Sequence, residues 1–512
     1  MWWKLGFSRI IDPGASLAGR FFGVVLPRGD ASRRPASLSD TSINDRSRKE
    51  RSALLQIGNL ALGNKKESRN TGAWNVVVSL FDEGTFVETG ALIARGSLDE
   101  GGLAGVVTGY GAVDGKLTCA FLFDASRRKG AVDRKTADKI VSLYDLAKKN
   151  GAPVVGVFDS VGAGVFEGVS ALAAYGRILK AVAGASGIVP QIALITGKCT
   201  GTLSAVAAMF DLALLAEGAS LYVNDPALTG ETNAQAPILS ASCSLAEAAA
   251  RVRSLISFLP PCAGCGVRVG ECLDDLNRRL PSALPADAVA ILSSVSDNGK
   301  TLPVSEGGAL LCSFAEVGGV RCGIVLSDKN KNEGKIDALS ARAAARFVDL
   351  CDAYSLPVVT LVDCAGLAIE KDNEKAPFST DLARLAFAYA GASVPTVTVV
   401  LGRAIGAGFA LLGSRATGAD VAYALEGAEI GALKSDAAVA FAFEKELAEG
   451  KTKEELEAAW KEKIASPEAA AEAGEIDDVI APSELRCRVA SALLMLSAKG
   501  TVDAPARAIR PL

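Results

Sequence analysis

The chain contains one pattern twice, about 204 residues apart, so its fold has to accommodate two similar halves. Residues 105–124 and 309–328 both carry apolar runs on either side of a Gly turn, which predicts an antiparallel hairpin. Residues 151–164 and 355–368 each place a Pro before a short apolar run that ends in Asp and is followed by small residues. Such a run predicts a buried parallel strand and the loop at its carboxyl edge.

The third repeated segment ends in a glycine turn. The runs "LITGKCTG" and "VVLGRAIG" end at Gly201 and Gly406, and an Ala-rich or apolar segment follows each. This order predicts a strand, a tight turn and the start of a helix. The first N–H groups of a helix have no partner within it and lie at the positive end of its dipole. Two equivalent turns therefore predict two sets of backbone donors for developing negative charge, which are the parts of an oxyanion hole.

Helical periodicity separates the predicted strands, with apolar residues at i, i+3 and i+4. The segments with this pattern are 134–150, 169–186, 339–355 and 379–393. We therefore expect an α/β fold in which each half is a β/α repeat with right-handed crossovers. The charged stretch after residue 440 predicts a pair of surface helices.

Clusters of Pro, Gly and Asp between residues 259 and 303 predict the joint between the halves. We expect a first half at 73–270 and a second half at 271–512. Residues 1–72 are rich in charge and Ser, and we expect an extension that is disordered or removed by processing.

Composition excludes several classes of function. The sequence contains no histidine, which removes the usual general base and the commonest metal ligand. Its net charge of −4 gives no reason to expect a nucleic-acid surface, and no run of 18 apolar residues predicts a membrane span. Most cysteines stand singly in apolar runs, as in reduced cytoplasmic proteins, so we expect a cytoplasmic location.

One cysteine cluster differs from the rest. Cys262, Cys265 and Cys272 lie in "PCAGCGVRVGEC", where the C-x-x-C pair and one further thiol are compatible with three ligands of a zinc site or with a redox role. No fourth ligand stands at the spacing of a zinc ribbon. We therefore expect thiols in a surface loop and no metal.

From about residue 75 to its carboxyl terminus the chain resembles the carboxyltransferase subunits of biotin-dependent acyl-CoA carboxylases and decarboxylases, such as the propionyl-CoA carboxylase beta chain. The resemblance rests on motifs that include "TADKIVSLYDLAKKNGAPVVGVFDS", "LYVNDP", "ECLDDLNR" and "FAYAGASVPTVTVVLGRAIGAGF". "LYVNDP" with "CLDDLNR" looks most like the branch of methylmalonyl-CoA and glutaconyl-CoA decarboxylases of anaerobic bacteria. The resemblance implies a tandem crotonase-like fold. It also implies that the first half holds a coenzyme A thioester and the second half holds biotin.

The resemblance also implies which backbone groups carry the reaction. The amides of Gly201 and Thr202 would stabilise the thioester enolate, and those of Ala407 and Gly408, next to Gly406, would stabilise the biotin ureido oxygen. No side-chain base is required, because the biotin nitrogen is itself basic once it has lost its carboxyl group. The absence of histidine is therefore compatible with this chemistry.

Substrate contacts are expected beside the first turn. The resemblance implies acyl-CoA contacts at Gly162, Ala163 and Glu167. The basic run "SRRKG" lies where CoA phosphates would pass, and it is either an anion site or a solvated charge run. Its three cations are Arg127, Arg128 and Lys129. Asp159 and Asp363 end equivalent strands, and we expect them to cap or shape turns.

The expected partners follow from the resemblance and from one absent motif. The chain has three Met and no biotinyl-lysine motif of the Ala-Met-Lys-Met kind, so biotin has to arrive on another protein. We expect a biotin carboxyl carrier protein, with biotin carboxylase or membrane decarboxylase subunits as further candidates. The family also implies a homo-oligomer.

The chain departs from the family pattern around the acyl-CoA half. Thr202 replaces a Gly, Gly164 an Arg, Phe166 a Gln and Thr136 a His, whereas Glu167 remains. These changes leave two readings, an altered acyl pocket or a catalytically impaired scaffold subunit. A further alternative is a crotonase-fold hydrolase or isomerase that uses Glu167 without biotin.

Overall fold

The computed structural model describes residues 72–91, 93, 104–164, 167–230, 244–305, 308–369 and 377–499. Almost all of the predicted extension at 1–72, and the departure at Phe166, lie outside these residues. Two sheets of similar topology and the helices packed on them make up the described part of the chain.

The first sheet has seven strands in the order β1-β2-β3-β4-β5-β6, with β7 beside β5. The hairpin β2–β3 is antiparallel, and the pairs from β3 through β6 are parallel. The seven strands are β1 (Val87–Thr89), β2 (Val106–Val113), β3 (Lys116–Phe123), β4 (Val154–Ser160), β5 (Gln191–Thr200), β6 (Leu212–Leu215) and β7 (Ser220–Tyr222).

The second sheet has eight strands in the order β15-β13-β12-β11-β10-β9-β8, with β14 beside β12. Its central pairs repeat the first sheet, since β9–β10 is antiparallel and β10 through β13 are parallel. The strands are β8 (Thr301–Ser305), β9 (Leu310–Val317), β10 (Val320–Ser327), β11 (Val358–Cys364), β12 (Thr396–Ile405), β13 (Val421–Leu425), β14 (Glu429–Gly431) and β15 (Asp478–Ile480).

The strand register confirms the repeat inferred from the sequence. Cys119 lies opposite Val154 in the first sheet, and Gly323 lies opposite Val358 in the second. Both sheets also shift register at the same place, near the carboxyl ends of β4 and β11. Both predicted hairpins and both predicted parallel strands are therefore confirmed.

The helices lie between the strands where periodicity predicted them. In the first half they are α1 (Gly72–Leu80), α2 (Arg134–Asn150), α3 (Val169–Ala183), α4 (Thr202–Ala208), α5 (Pro226–Thr229) and α6 (Leu245–Phe258). In the second half they are α7 (Ala288–Val295), α8 (Ala338–Ala353), α9 (Phe378–Gly391), α10 (Ala407–Leu411), α11 (Ser435–Ala442), α12 (Glu444–Ala448), α13 (Lys453–Lys463), α14 (Pro467–Glu472) and α15 (Leu485–Leu496). The predicted charged surface pair corresponds to α12 and α13. None of these helices is long and apolar enough to cross a membrane.

Equivalent helices begin with the same cap. The Asp133 carboxylate accepts a hydrogen bond from the Thr136 amide at the start of α2, at 2.7 Å. The Asp337 carboxylate accepts from the Ser340 amide at the start of α8, also at 2.7 Å. Such side-chain caps satisfy N–H groups that the helix itself leaves without partners, so they fix where each helix begins.

A network of buried polar groups joins the two halves. Asp211, at the start of β6, accepts from the Gln191 amide at 2.9 Å and from the Tyr354 hydroxyl of the second half at 2.7 Å. Arg346 of α8 donates to the backbone carbonyls of Ala208 and Phe210. The largest apolar cluster likewise contains residues of both sheets, so the halves share one core.

The carboxyl end of α6 is held by one cation from each half. The Lys116 ammonium donates to the carbonyls of Ile256 and Leu259 at 2.9 and 3.0 Å. The Arg321 guanidinium donates to the Phe258 carbonyl at 2.8 Å and lies 5.3 Å from the centre of its ring. Cations at this end of a helix satisfy its free carbonyls and oppose the negative end of its dipole.

A second buried cation fastens the last helix. The Arg486 side chain is fully buried and bonds to the carboxylates of Asp297 and Asp274 at 2.7 and 3.3 Å. Asp297 also accepts from the amides of Gly318 and Gly319 in the β9–β10 turn. One ion pair therefore connects α15, the loop after α7 and the second hairpin.

The network between the halves should make stability depend on pH. Burial raises the pKa of Asp211 to about 6 from an ordinary 3.8, against hydrogen bonds from Tyr354 and Gln191 that act to lower it. The folded state thus favours the neutral Asp211 carboxyl. Its contribution to the free energy of unfolding is complete below pH 3.8 and is lost as pH rises through 6. Two pKa units correspond to about 3 kcal/mol.

We therefore expect Asp211→Asn to be better tolerated at pH 7.5 than at pH 4.5, because the amide lacks the charge that burial penalises. The measurement is the difference in melting temperature between native and variant chains at each pH. Using the difference cancels the acid-sensitive groups that both chains share. A difference that does not change with pH would contradict the prediction.

Candidate active site

The two glycine turns have the same backbone geometry. Gly201 has φ +59° and ψ −130° between β5 and α4, and Gly406 has φ +54° and ψ −120° between β12 and α10. A side chain strongly disfavours this conformation, so glycine is required at both positions. The predicted order of strand, turn and helix is thus present in each half.

The glycine amides themselves belong to the sheets. The Gly201 N–H donates to the Tyr222 carbonyl of β7 at 3.1 Å, and the Gly406 N–H donates to the Gly431 carbonyl of β14 at 2.8 Å. This differs from the prediction that the Gly201 amide faces the substrate, because the edge strand β7 already uses that donor. Gly201 shapes the turn instead.

The donors left at each turn are the first two amides of the helix. These are Thr202 and Leu203 in the first half and Ala407 and Gly408 in the second. Among the described residues, no carbonyl or side chain accepts a hydrogen bond from these four amides. Leu203 was not among the predicted donors, because the sequence assigned that place to the preceding glycine. The amides of Thr202, Ala407 and Gly408 are available as predicted, and the Thr202 side chain is exposed.

The second helix start is packed tightly against its sheet. A β-carbon on Gly408 would lie 2.7 Å from the Cys364 sulfur and 3.1 Å from the Cys364 carbonyl oxygen. The backbone of α10 therefore rests directly on the end of β11. At the equivalent place in the first half, the fully buried Leu203 fills the space between helix and sheet.

The loop after β4 lies beside the first turn. A β-carbon on Gly162 would lie 3.3 Å from the Thr200 hydroxyl, one residue before Gly201. Ala163 forms a parallel bridge with Val132. Gly162 and Ala163 thus share the carboxyl edge of the sheet with the Thr202 amide, as their predicted role in substrate binding requires.

Asp159 and Asp363 shape the strands that lead into the two turns. The Asp159 carboxylate accepts from the Lys198 amide of β5 at 3.2 Å, and the Asp363 carboxylate accepts from the Arg403 amide of β12 at 3.2 Å. Each contact lies next to the register shift between the paired strands. These side chains therefore hold the neighbouring strand rather than cap a helix. Their equivalent positions in the repeat were the feature of the sequence that could have indicated this shared role.

The glycine that faces each carboxylate leaves no room for a side chain. A β-carbon on Gly197 would lie 2.0 Å from the Asp159 carboxylate, and one on Gly402 would lie 2.7 Å from the Asp363 carboxylate. The strands approach this closely only because glycine stands there. The residues two to four positions before each turn are therefore fixed by an Asp–Gly contact.

The basic run is only partly available to a ligand. The Arg127 guanidinium pairs with Asp124 at 3.2 Å, and the Arg128 guanidinium pairs with Asp133 at 3.3 Å. Both acids are buried, so these two arginines hold the loop together. Lys129 is exposed and has no ion pair within the described residues. Of the three predicted anion-binding cations, Lys129 is the one the structure leaves accessible.

The equivalent loop of the second half carries the opposite charge. Glu333 occupies the place of Lys129, with a similar left-handed backbone conformation. Glu333 bonds to Lys335 at 2.9 Å and to Arg403 at 3.0 Å, and these contacts lower its pKa. The two halves therefore differ in charge beside their turns, with a cation in the first and a paired acid in the second.

The remaining predicted residues serve local structure. The Glu167 carboxylate accepts from the Arg134 amide at the start of α2, at 3.2 Å. The Gly164 amide donates to the Val132 carbonyl at 2.8 Å. The Thr136 side chain is buried, and its hydroxyl has no partner within the described residues. The Glu167 carboxylate thus supports the start of α2.

The cysteine cluster divides into two parts. The sulfurs of Cys262 and Cys265 lie 3.7 Å apart. Cys272 instead donates to the Asp274 carbonyl at 3.1 Å and lies 3.6 Å from the Asp297 carboxylate. Within the described residues no three His, Cys, Asp or Glu side chains are grouped as a metal site would require.

Comparison with known proteins places both glycine turns in a known domain. A family model described as the carboxyl transferase domain matches residues 65–232 and 242–510. The propionyl-CoA carboxylase beta chain of Saccharopolyspora erythraea is 33% identical over 471 residues, covering 82% of this chain and 86% of the relative. The methylmalonyl-CoA decarboxylase alpha subunit of Veillonella parvula is 32% identical over 464 residues, covering 84% and 90%.

A solved structure resembles almost the whole chain. Transcarboxylase 12S, described as a hexamer with methylmalonyl-coenzyme A and methylmalonic acid bound, matches with a TM-score of 0.78 and 27% identity. The match covers 92% of this chain and 98% of that one. It confirms the expected tandem crotonase-like fold with two repeated halves.

Proposed function

Because this chain belongs to the carboxyl transferase family, we propose that it moves a carboxyl group between an acyl-CoA thioester and biotin carried on a partner protein. The chain is a biotin-dependent acyl-CoA carboxyltransferase, so the resemblance seen in its motifs is confirmed. The comparisons do not favour the alternative of a catalytically impaired scaffold subunit. The observation that carries the proposal is the pair of equivalent turns, each with two amides at a helix start that have no partner in the described part of the chain.

The proposed division of labour follows the repeat. The first half, residues 73–270, would hold the acyl-CoA thioester, with Gly162 and Ala163 beside its acyl group and Lys129 near its phosphates. The second half, residues 271–512, would hold the biotin head group. The difference in charge between Lys129 and Glu333 supports this assignment, because coenzyme A is a polyanion and the biotin ring is neutral.

The chain contributes stabilisation of oxygens rather than proton transfer. The Thr202 and Leu203 amides fit the thioester oxygen, which becomes negative when the α-carbon loses a proton or CO2 and keeps the bonding electrons. The Ala407 and Gly408 amides fit a ureido oxygen in the same way. Biotin supplies the ring nitrogen that carries the carboxyl group and, without it, is basic enough to accept the α-proton. Loss of one such donor set is worth about 3–4 kcal/mol of transition-state stabilisation.

The proposed partners follow from what this chain lacks. Without a biotinyl-lysine motif it depends on a biotin carboxyl carrier protein, and biotin carboxylase or membrane decarboxylase subunits would complete the complex. The chain is a carboxyltransferase subunit of a biotin-dependent assembly, and the hexamer described for transcarboxylase 12S supports a homo-oligomer here.

The test is decarboxylation of malonyl-, methylmalonyl- and glutaconyl-CoA by the purified chain, with and without free biotin as acceptor. Loss of CO2 from one thioester that depends on biotin would establish the transferase and identify the acyl group. Turnover without biotin would instead support the hydrolase or isomerase alternative. Absence of turnover in a folded, oligomeric chain would contradict the proposal.

We expect Lys129→Glu to raise the KM for the acyl-CoA about fivefold with little change in kcat, because an exposed charge contact is worth about 1 kcal/mol. The effect should shrink as salt rises. Lys149→Glu is the matched control, since Lys149 is also exposed but lies at the other end of α2. An equal rise in KM in both variants would show only a change in net charge.

A further inference from the structure

The segment that carries the chain from the first half to the second is short and anchored at both ends. The Ala263 amide donates to the Ile188 carbonyl of the first half at 2.9 Å. The Gly270 amide donates to the Gly319 carbonyl of the second half at 2.8 Å. Gly264 and Gly266 lie between these anchors with φ of +74° and +71°. Residues 262–270, the crossing segment, thus span the joint between the halves.

Two cysteines lie together in the crossing segment. The Cys262 and Cys265 sulfurs are 3.7 Å apart, and they have to approach by about 1.6 Å to reach the ~2.05 Å of a disulfide bond. Cys265 is exposed, and Cys262 is partly buried beside Gly151. The glycine between them and the small Ala263 leave the backbone free to adjust. Cys272 and Cys487 are also partly exposed, whereas six further described cysteines are buried in the sheets and helices, namely Cys119, Cys199, Cys312, Cys322, Cys351 and Cys364.

Basic side chains lie near this pair. Lys116 and Arg321 converge on the last carbonyls of α6, a few residues before Cys262. Burial lowers the pKa of Lys116 to about 7, so its side chain is only partly charged at neutral pH. The positive charge of Arg268 acts to lower the pKa of Cys262. Reactive cysteines lie in partly exposed, electropositive surroundings of this kind, because cations stabilise the thiolate.

The two thiols differ in exposure. Burial and the neighbouring Cys265 raise the pKa of Cys262 to about 11, against the opposing effect of Arg268. The exposed Cys265 is therefore the thiol that meets an oxidant first. Cys262, held beside it, is placed to attack second. The rate of disulfide exchange depends on access to the attacking sulfur, which the exposed Cys265 provides.

We propose that Cys262 and Cys265 are a reversible redox pair, oxidised to an intramolecular disulfide by a small disulfide of the glutathione class. The Cys265 thiolate attacks one sulfur of oxidised glutathione, which breaks that S–S bond, forms a mixed disulfide and releases one glutathione thiolate. The Cys262 thiol then loses its proton and attacks the Cys265 sulfur, which releases the second glutathione. The two cysteines lose two electrons and two protons, and one oxidised glutathione becomes two thiols.

The sequence makes the product simple to detect. Trypsin cleavage after Arg253 and Arg268 releases residues 254–268, which contain Cys262 and Cys265 and no other cysteine. The neighbouring peptide, residues 269–278, contains only Cys272 and serves as an internal control. The full chain is equilibrated with mixtures of reduced and oxidised glutathione, alkylated with iodoacetamide, digested and weighed by mass spectrometry.

We expect the 254–268 peptide to lose two hydrogens and escape alkylation as the mixture becomes more oxidising, and dithiothreitol should reverse the change. Alkylation of this peptide should fall at least tenfold while the Cys272 peptide stays alkylated. Cys262→Ser should trap glutathione on Cys265, and Cys265→Ser should leave Cys262 alkylated.

Two results would overturn the proposal. The first is full alkylation of both cysteines in the most oxidising mixture. The second is glutathione that persists on Cys265 of the native chain, because it would show that Cys262 does not attack. Neither readout depends on carboxyl transfer, so the pair is tested separately from the proposed function.

Discussion

Replacing Gly406 by alanine should lower biotin-dependent turnover about 10²–10³-fold, the effect of losing oxyanion donors. An alanine cannot readily adopt φ +54° and ψ −120°, and its β-carbon would lie 3.3 Å from the Ala432 carbonyl oxygen. Relief of this strain requires the turn to shift. The Ala407 and Gly408 amides shift with it, because Gly408 is already in contact with Cys364 and cannot move toward the sheet.

The measurement is kcat for biotin-dependent decarboxylation together with the affinity for acyl-CoA in a direct binding assay. Acyl-CoA affinity should stay within twofold of the native value, because the first half is untouched. Gly427→Ala is the matched control, since Gly427 also has positive φ (+78°) but no atom lies near the position of its β-carbon. Equal losses of turnover in both variants would mean that backbone strain alone, and not donor placement, is responsible.

Replacing Arg486 by alanine should destabilise the chain by about 3–5 kcal/mol, the usual effect of removing one partner from a buried ion pair. The substitution leaves the carboxylates of Asp297 and Asp274 without their buried cation. It also empties the space of a large side chain beneath α15. We expect a clear fall in the melting temperature and in the urea concentration at half-unfolding.

Arg488→Ala provides the matched control two residues along the same helix. Arg488 pairs with Asp478 at 3.0 Å, but 43% of its side chain is exposed. Exposed pairs contribute about 0–1 kcal/mol, so the control should unfold close to the native chain. Arg486→Met separates charge from volume, because methionine fills the space without pairing. If Arg486→Ala were as stable as Arg488→Ala, the buried pair would not hold the last helix.

Local patterns predicted most of the fold. The hairpins, the buried parallel strands and the helices before and after them all follow from periodicity within a single segment. Helix α2 begins and ends at the predicted residues, Arg134 and Asn150. Repetition strengthened each of these predictions, because an ambiguous segment in one half had a clearer counterpart in the other.

Predictions that depended on distant partners were less complete. The Gly201 amide is used by β7, a strand of three residues with no pattern of its own. The sequence left Arg127 and Arg128 open between an anion site and a solvated charge run, but both pair with acids in the same loop region. Arg486 looks like a surface residue in the sequence, and its partner Asp297 stands 189 positions earlier. No local signal reveals pairs of this kind.

The bond between Asp211 and Tyr354 has a consequence for how the chain is made. Its two residues are 143 positions apart, and the second lies in the later half. At a synthesis rate of roughly 5–20 residues per second, the first half waits roughly 7–30 s on the ribosome for that partner. During this interval its shared apolar face and the Asp211 carboxyl are open to water and to other nascent chains. A chain whose core is shared between two halves therefore exposes part of that core until its second half has been synthesised. A chaperone can cover the exposed surface during this time.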